Sequence, residues 1–195
     1  VRVVMAPEEE IHLGFALGVV EEEEQIAFWC RRYCTLEGGI RALQLSETQA
    51  KAMLGFLALR PAEHWLFQRA AALAVFEDTT DPERRQAVRE NRLKLRDLWA
   101  LGISGDLPLV VVEVGAMEQM ALAKGAMRMH EFWRGMGLWA DLVMINDYGN
   151  DYDQPVRDAL RDMAAASHLR DLGGKNGGLH LLEGSALQTE QRLLL

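Results

Sequence analysis

The sequence predicts an α/β protein: a small three-layer βαβ domain with parallel strands, preceded by a helical connector and a remnant β-hairpin. Two apolar runs, at residues 107–114 and 140–146, begin about 33 residues apart, and a helical pattern separates them. A second helical pattern and a short third run, at residues 179–183, follow. Continuous apolar runs of this length are typical of strands buried on both faces. Strand–helix–strand units at this spacing predict parallel strands joined by right-handed crossovers.

Composition limits the function before any motif is considered. The chain has 195 residues, 49% of them hydrophobic, which suffices for a core and excludes wholesale disorder. The net charge of -8 argues against nucleic acid as a partner, because phosphate contacts require a basic face. No apolar run approaches the roughly 20 residues of a membrane-spanning helix. Three glutamates at residues 8–10 interrupt any signal peptide, so we expect a cytoplasmic location.

Residues 1–20 are predicted as a remnant β-hairpin, with strands at residues 2–7 and 12–20 joined by an acidic turn. A lone hairpin is marginally stable in water, so these strands are expected to belong to a preceding β-sandwich. The apolar run at residues 193–195 ends a helical pattern without a cap, and we expect it to be exposed. With Val1 in place of an initiator methionine, these features predict a piece of a larger protein.

Residues 21–100 are predicted as a helical connector. Its helices are expected at residues 21–33, 46–59, 62–76 and 83–99. Gly38 and Gly39 are expected to interrupt the helical pattern between the first two helices. Residues 78–82 are predicted to form a turn that caps the last helix.

The connector also carries two cysteines, Cys30 and Cys34, whose spacing places both on one helical face. Two thiols without a nearby histidine cannot complete a four-ligand zinc site. We interpret them as reduced and partly buried, which is typical of a reducing compartment.

Residues 101–195 are predicted as the α/β domain, with helices at residues 118–137 and 155–172 between its strands. The inner face of the first helix is predicted to comprise Met120, Leu122, Ala123, Met127, His130 and Trp133. A glycine-rich turn at residues 173–178 precedes the last strand.

The segment that enters the first buried strand contains Gly102, Ser104, Gly105 and Asp106. Two glycines three residues apart, with a serine between them, could form a nest of N–H groups for an anion or a sugar hydroxyl. Phosphate-binding loops usually follow a strand and begin a helix, whereas this loop does the opposite. A structural turn, a polar-ligand loop and a catalytic Asp106 are therefore the three interpretations.

A second candidate loop follows the second strand and begins with Asn146, Asp147 and Tyr148. Ligands of parallel sheets collect at the carboxyl ends of strands, which is where this loop is predicted to lie. Its acidic residues could bind a hard cation, although the glycine and distal glutamate of an EF-hand loop are missing. Its rings, including Tyr152, suit the C–H faces of a sugar, and a solvated loop without ligand is the alternative.

His130 and Trp133 are a third candidate pair, on the helix predicted at residues 118–137. A metal site of the usual helical spacing would need a second histidine at the position of Arg134. A histidine hydrogen-bonded within the core is the alternative to a ligand role. Since no nucleophile elbow, phosphate loop or dinucleotide fingerprint occurs, no catalytic residue, metal or cofactor is assigned.

Longer strings of the sequence resemble the very large bacterial cyclic β-1,2-glucan synthases. The strings are LWALGISGDLPLV at residues 98–110, HEFWRGMGL at 130–138, DLVMIND at 141–147, GGLHLL at 177–182 and QTEQRLLL at 188–195. Residues 2–20 are also similar to the closing strands of a β-sandwich in that family. The likeness covers nearly the whole chain in one order, which makes it more specific than any single motif.

The resemblance implies a multidomain parent. In that family a membrane-embedded glycosyltransferase part precedes a carboxyl-terminal part, with β-sandwiches and an (α/α) barrel, that is similar to inverting glycoside phosphorylases. The resemblance implies that this segment lies between two sandwiches and that the UDP-glucose site, general acid and phosphate pocket lie elsewhere. The parent would be anchored in the bacterial inner membrane through other regions, and no catalytic residue carries over.

Three functional hypotheses result. The first is a non-catalytic linker module whose partners are the neighbouring domains of the parent chain, with β-glucan as a further candidate partner. The second is a small glycan-active enzyme in which Asp106 and the loop after Asn146 converge within about 10 Å. The third is a sugar-binding module that acts through Trp133, Tyr148 and Tyr152.

Overall fold

The computed structural model describes residues 2–76, 81–149 and 153–195. In order, the elements are α1 (Glu23–Tyr33), α2 (Leu36–Phe56), α3 (Pro61–Val75), α4 (Pro82–Glu90), β1 (Leu109–Val114), α5 (Met120–Gly135), β2 (Asp141–Asn146), α6 (Pro155–Ala166), β3 (Leu179–Glu183) and α7 (Thr189–Leu194). Short 3₁₀ helices comprise Leu95–Leu101, Met117–Gln119, Arg170–Leu172 and Gly184–Ala186.

The three strands form one parallel sheet in the order β1-β2-β3, which confirms the predicted α/β class. Leu109 lies opposite Asp141, and Leu142 lies opposite Leu179. All six residues of β2 are buried, as its continuous apolar sequence predicts for a central strand. The sheet therefore has an amino edge, where the strands begin, and a carboxyl edge, where they end.

Layers on both faces of the sheet give the predicted three-layer arrangement. On one face, Leu142 and Met144 pack with residues of α5 and α6, such as Met127 and Leu160. On the other face, Val143 and Ile145 pack with residues of two further elements: Leu98 and Ile103 in and after the 3₁₀ helix Leu95–Leu101, and Leu194 and Leu195 at the end of α7. The alternation of side chains along β2 separates these two clusters.

Tertiary contacts divide the chain into two compact units, Val1–Gly55 and Phe56–Leu195. The second unit contains the sheet and also α3, because Trp133 of α5 donates its indole N–H to the carbonyl of Phe67 at 2.8 Å. Half of the predicted connector thus packs into the α/β unit. The division of the parent chain at residues 20 and 100 stays a prediction.

The first unit differs from the sequence prediction at two places. Residues 2–20 contain no strand, and their one backbone hydrogen bond runs from Glu9 N–H to Ala6 C=O, so the predicted hairpin is absent here. Without a neighbouring sheet such strands have little to stabilise them. The predicted interruption at Gly38 is also wrong, because α2 runs through it. A methyl group on Gly38 would overlap the carbonyl oxygen of Arg32, so glycine permits this close approach.

The structure also corrects one prediction near residue 90 and another at the end of the chain. The helix expected at residues 83–99 ends at Glu90, where Asn91 accepts the N–H of Leu93 and turns the chain. Asp81 caps α4 as expected, whereas residues 78–80 of the predicted turn lie outside the described part of the chain. The leucines at residues 193–195 are half-buried rather than exposed.

Cys30 and Cys34 are free thiols, as interpreted from the sequence, but both are exposed rather than partly buried. Leu122, expected on the inner face of α5, is 57% exposed. None of the helices in the described ranges is long and apolar enough to cross a membrane.

Candidate functional site

The parallel sheet places the two candidate loops at opposite edges. Asp106 precedes β1, and Asp147 directly follows β2. Since β1 and β2 pair in register over six residues, at about 3.3 Å per residue, the two carboxylates are separated by about 20 Å. The hypothesis of a glycan-active enzyme that uses Asp106 together with the loop after Asn146 is therefore wrong.

At the carboxyl edge, Asp147 lies in an ion-pair cluster centred on Arg192. One nitrogen of Arg192 lies 2.5 Å from Oδ1 of Asp147, and the other lies 3.2 Å from Oε1 of Glu113. The same guanidinium donates to the carbonyl of Gly184 at 2.9 Å. The hydrogen bond to Asp147 raises the pKa of Arg192.

Asn146 and Tyr148 complete this edge. The amide of Asn146 is 4% exposed and donates to Glu183 at 2.7 Å and to Gln154 at 3.3 Å, while its carbonyl accepts the N–H of Tyr148. Tyr148 is partly buried against the core beside α5 and α6. Both side chains are thus held by structural contacts.

The remainder of the second candidate loop, Asn150, Asp151 and Tyr152, lies outside the described residues. Within the described ranges, no three His, Cys, Asp or Glu side chains are grouped so that they could hold a metal ion. What the carboxyl edge does show is a set of polar groups that bind one another and tie α7 to the ends of β1 and β2.

At the amino edge, the loop with the candidate residues Gly102 to Asp106 is a tight turn. Gly102, with φ +73°, ends the preceding 3₁₀ helix, and Gly105, with φ +78°, packs where a methyl group would overlap Leu95. Three N–H groups of the loop donate hydrogen bonds to acceptors within the turn: those of Gly102, Ile103 and Asp106. These three N–H groups are therefore engaged in the turn and are not available to an anion.

The same loop contacts the segment that precedes β3. The hydroxyl of Ser104 donates to Oδ1 of Asn176 at 3.0 Å. The indole N–H of Trp99 donates to the carbonyl of Ser104 at 3.1 Å, which fixes a ring that is 66% exposed. Asp106 is exposed at the end of this turn.

Gly177 connects this segment to Trp139. Its N–H donates to Oδ1 of Asp141 at 2.6 Å, and its carbonyl accepts from Arg134 at 2.8 Å. The guanidinium of Arg134 also lies 4.2 Å from the ring centroid of Trp139, which is 50% exposed. A methyl group on Gly177 would lie 2.8 Å from Cε3 of Trp139, so glycine is needed beside the ring.

His130 and Trp133, both 2% exposed, are core residues. Nε2 of His130 lies 2.7 Å from the carbonyl oxygen of Ala140, and burial lowers the pKa of its imidazole. Nδ1 of His130 and Oδ2 of Asp141 have no hydrogen-bond partner among the described residues. The prediction of Trp133 as a ring open to sugar is wrong, because its indole is enclosed and bonded to Phe67.

Sequence reasoning missed Trp99, Trp139 and Asn176 as candidate residues. Trp99 precedes the loop of Gly102 to Asp106, but a tryptophan next to leucines predicts burial, and nothing in the sequence indicates its exposure. Asn176 and Trp139 lie far from Ser104 along the chain, so only the folded sheet edge brings them together.

Comparison with known proteins finds one distant relative and no family model that matches. Over 125 residues, 64% of this chain, the sequence is 26% identical to the cyclic beta-(1,2)-glucan synthase NdvB of Rhizobium meliloti (strain 1021). The aligned segment spans 4% of the length of that protein. The relationship therefore concerns a small part of a very large synthase.

Proposed function

We propose that this chain is a non-catalytic structural module of a β-glucan-synthesising protein similar to the rhizobial synthase. Its role is to hold the neighbouring domains of the parent chain in position, on the cytoplasmic side of a membrane in which other regions of the parent are anchored. The similarity to a protein named as a cyclic β-1,2-glucan synthase, over 64% of the chain, supports the connection with β-glucan.

The observation that carries the non-catalytic role is that Arg192 engages two carboxylates at the carboxyl edge, while a third, that of Glu183, accepts from Asn146. Asp147 and Glu113 share this single guanidinium, at 2.5 and 3.2 Å. A general acid or base needs a carboxylate oxygen that can reach the substrate, whereas Oδ1 of Asp147 and Oε1 of Glu113 are each bonded to Arg192. The cluster is better suited to fixing α7 against the sheet.

Exposed apolar side chains in the first unit support the contact with neighbours. Phe15 and Leu17 are 88% and 103% exposed, and Phe28 and Trp29 of α1 are 49% and 40% exposed. Residues 12–17 and the beginning of α2 border an open, largely apolar groove of about 740 Å³. Contiguous apolar surface of this kind is typical of faces that bind another protein surface.

A chimeric synthase tests the proposal. The aligned 125-residue segment of the rhizobial synthase is replaced by the matching part of this chain, in cells that lack the native gene. The amount of membrane-bound chimera and the yield of cyclic β-1,2-glucan are measured together. We expect glucan synthesis to be restored, and we expect Asp147→Asn to leave the yield per molecule of chimera unchanged.

Deletion of the segment is the matched control and should remove the synthase from the membrane fraction. A second measurement is independent of the chimera: the purified chain is incubated with linear β-1,2-glucan, with and without inorganic phosphate. Glucan cleavage that disappears in Asp147→Asn, or a chimera that accumulates normally but loses synthesis with that substitution, would contradict a non-catalytic role.

A further inference from the structure

The geometry points to a glucan-binding surface at the amino edge of the sheet, formed by Trp99, Ser104, Asp106, Trp139 and Asn176. We call it the Trp99–Trp139 surface. The assignment of a β-1,2-linked glucan chain as the ligand rests on the proposed function. The surface itself is defined by the contacts of these side chains.

The two tryptophan rings are exposed although ordered contacts fix them. The indole N–H of Trp99 is bonded to the carbonyl of Ser104, and the guanidinium of Arg134 stacks on Trp139 at 4.2 Å. Exposures of 66% and 50% leave large parts of both rings open to a ligand. A ring that is already oriented loses little conformational entropy when a ligand stacks on it.

The rings are connected through hydrogen-bonding groups rather than through apolar side chains. Ser104, which holds Trp99, donates to Asn176, and Asn176 precedes Gly177, which packs against Trp139. The amide Nδ2 of Asn176 and the carboxylate of Asp106 have no partner within the described part of the chain, and both residues are exposed. Both groups are therefore available to a ligand hydroxyl.

This alternation of rings and polar groups fits a sugar chain better than a protein surface. The face of an indole ring carries negative partial charge, which attracts the polarised C–H groups on the face of a pyranose. Hydroxyls at the rim of the same sugar can donate to a carboxylate and accept from an amide. A protein partner would favour a contiguous apolar patch, which these polar side chains interrupt.

Nuclear magnetic resonance of the ¹⁵N-labelled chain tests this surface. The chain has five tryptophans, so five indole N–H signals are expected, and single Trp→Phe variants assign them. Linear β-1,2-glucooligosaccharide is added to about 10 mM, ten times the Kd of about 1 mM that we expect for a shallow surface. The signals of Trp99 and Trp139 should shift and saturate, while those of Trp65 and Trp133 should not move.

Trp65 provides a matched control. It is 58% exposed on α3, and Arg69 stacks on its ring at 4.7 Å, much as Arg134 stacks on Trp139. We expect Trp99→Ala and Trp139→Ala to raise the Kd at least about tenfold, which corresponds to about 1.4 kcal/mol, and Asn176→Ala to raise it about fivefold. Trp65→Ala should change it less than about twofold.

Absence of any shift at Trp99 and Trp139 would overturn the inference and leave this face to a protein neighbour. Because the titration itself uses the wild-type chain, it decides even if an alanine variant fails to fold. Tighter binding of β-1,2-linked chains than of β-1,4- and α-1,4-linked chains supports the assigned ligand, and equal or weaker binding overturns it. The chimera experiment does not depend on these titrations, so failure of the glucan surface and failure of the structural role are distinguishable.

Discussion

The carboxylate of Asp141 accepts the backbone N–H of Gly177 at 2.6 Å, and this bond joins the first residue of β2 to the segment before β3. Asp141 is fully buried, and its Oδ1 also lies 3.4 Å from Nε2 of His180. Arg134 donates to the carbonyl of the same glycine, so side chains from β2 and α5 hold both polar groups of Gly177. This arrangement fixes the amino edge of the sheet.

Asp141→Ala should therefore destabilise the chain by about 2–4 kcal/mol, because it leaves the buried N–H of Gly177 without its acceptor. Urea denaturation of the purified chain measures the loss. Asp162→Ala, at an exposed position of α6, is the control and should remain within about 0.5 kcal/mol of wild type. Equal stability of the two variants would show that the bond to Gly177 contributes nothing measurable.

Much of the α/β unit could be predicted from the sequence. The run at Asp141–Asn146 is the fully buried central strand, whereas the run at Leu109–Val114 is an edge strand whose residues are mostly half-buried. The helix break at Glu90 does not follow from periodicity, because it depends on a side chain–backbone bond of Asn91 that competes with the helix. A glycine in a helical pattern predicts a break at Gly38, whereas the close contact with Arg32 that requires glycine there exists only after folding.

The candidate sites were predicted less well than the strands. The sequence indicates polar loops at Gly102 and at Asn146, but not which of their groups are already bonded. Whether Asp147 is free depends on Arg192, 45 residues away along the chain. Whether a tryptophan is enclosed, as Trp133 is, or exposed, as Trp99 is, follows from packing across elements that periodicity alone does not specify.

Because of the buried imidazole of His130, we expect the free energy of unfolding to fall in acid. Burial is the largest effect and lowers the pKa of this imidazole from 6.5, and the charges of Arg134 and His180 lower it further. The bond to the carbonyl of Ala140 and the charge of Asp141 act in the opposite direction but are outweighed. The unfolded chain therefore binds a proton more readily, and stability falls as the pH drops below about 6.5. Urea denaturation of wild type and His130→Gln from about pH 8 to about pH 5 isolates this contribution. The stability difference between them should shrink or reverse towards acid, and a constant difference would contradict the assignment.

We expect Trp133 to stabilise the core and to take no part in ligand binding. Trp133→Phe removes the indole N–H bonded to the carbonyl of Phe67 and reduces a buried volume, so we expect a loss of about 1–3 kcal/mol. Thermal or urea unfolding measures it, with exposed Trp65→Phe as the control, expected within about 0.5 kcal/mol of wild type. The glucan-induced shifts of Trp99 and Trp139 should be unchanged in the variant. Stability equal to wild type, or loss of those shifts in a folded variant, would restore Trp133 as a ligand candidate.

Gly184 has room for no side chain at the carboxyl edge. A methyl group there would overlap Oδ1 of Asp147 and lie 2.7 Å from a guanidinium nitrogen of Arg192. Because this ion pair ties α7 to the sheet, Gly184→Ala should destabilise the chain by about 1–3 kcal/mol, as measured by urea denaturation. Gly125→Ala in α5, where a methyl group meets nothing within 4 Å, should instead stabilise it by about 0.5–1 kcal/mol. If both variants changed stability in the same direction, the carboxyl edge could not depend on the close packing of Gly184 against Asp147 and Arg192.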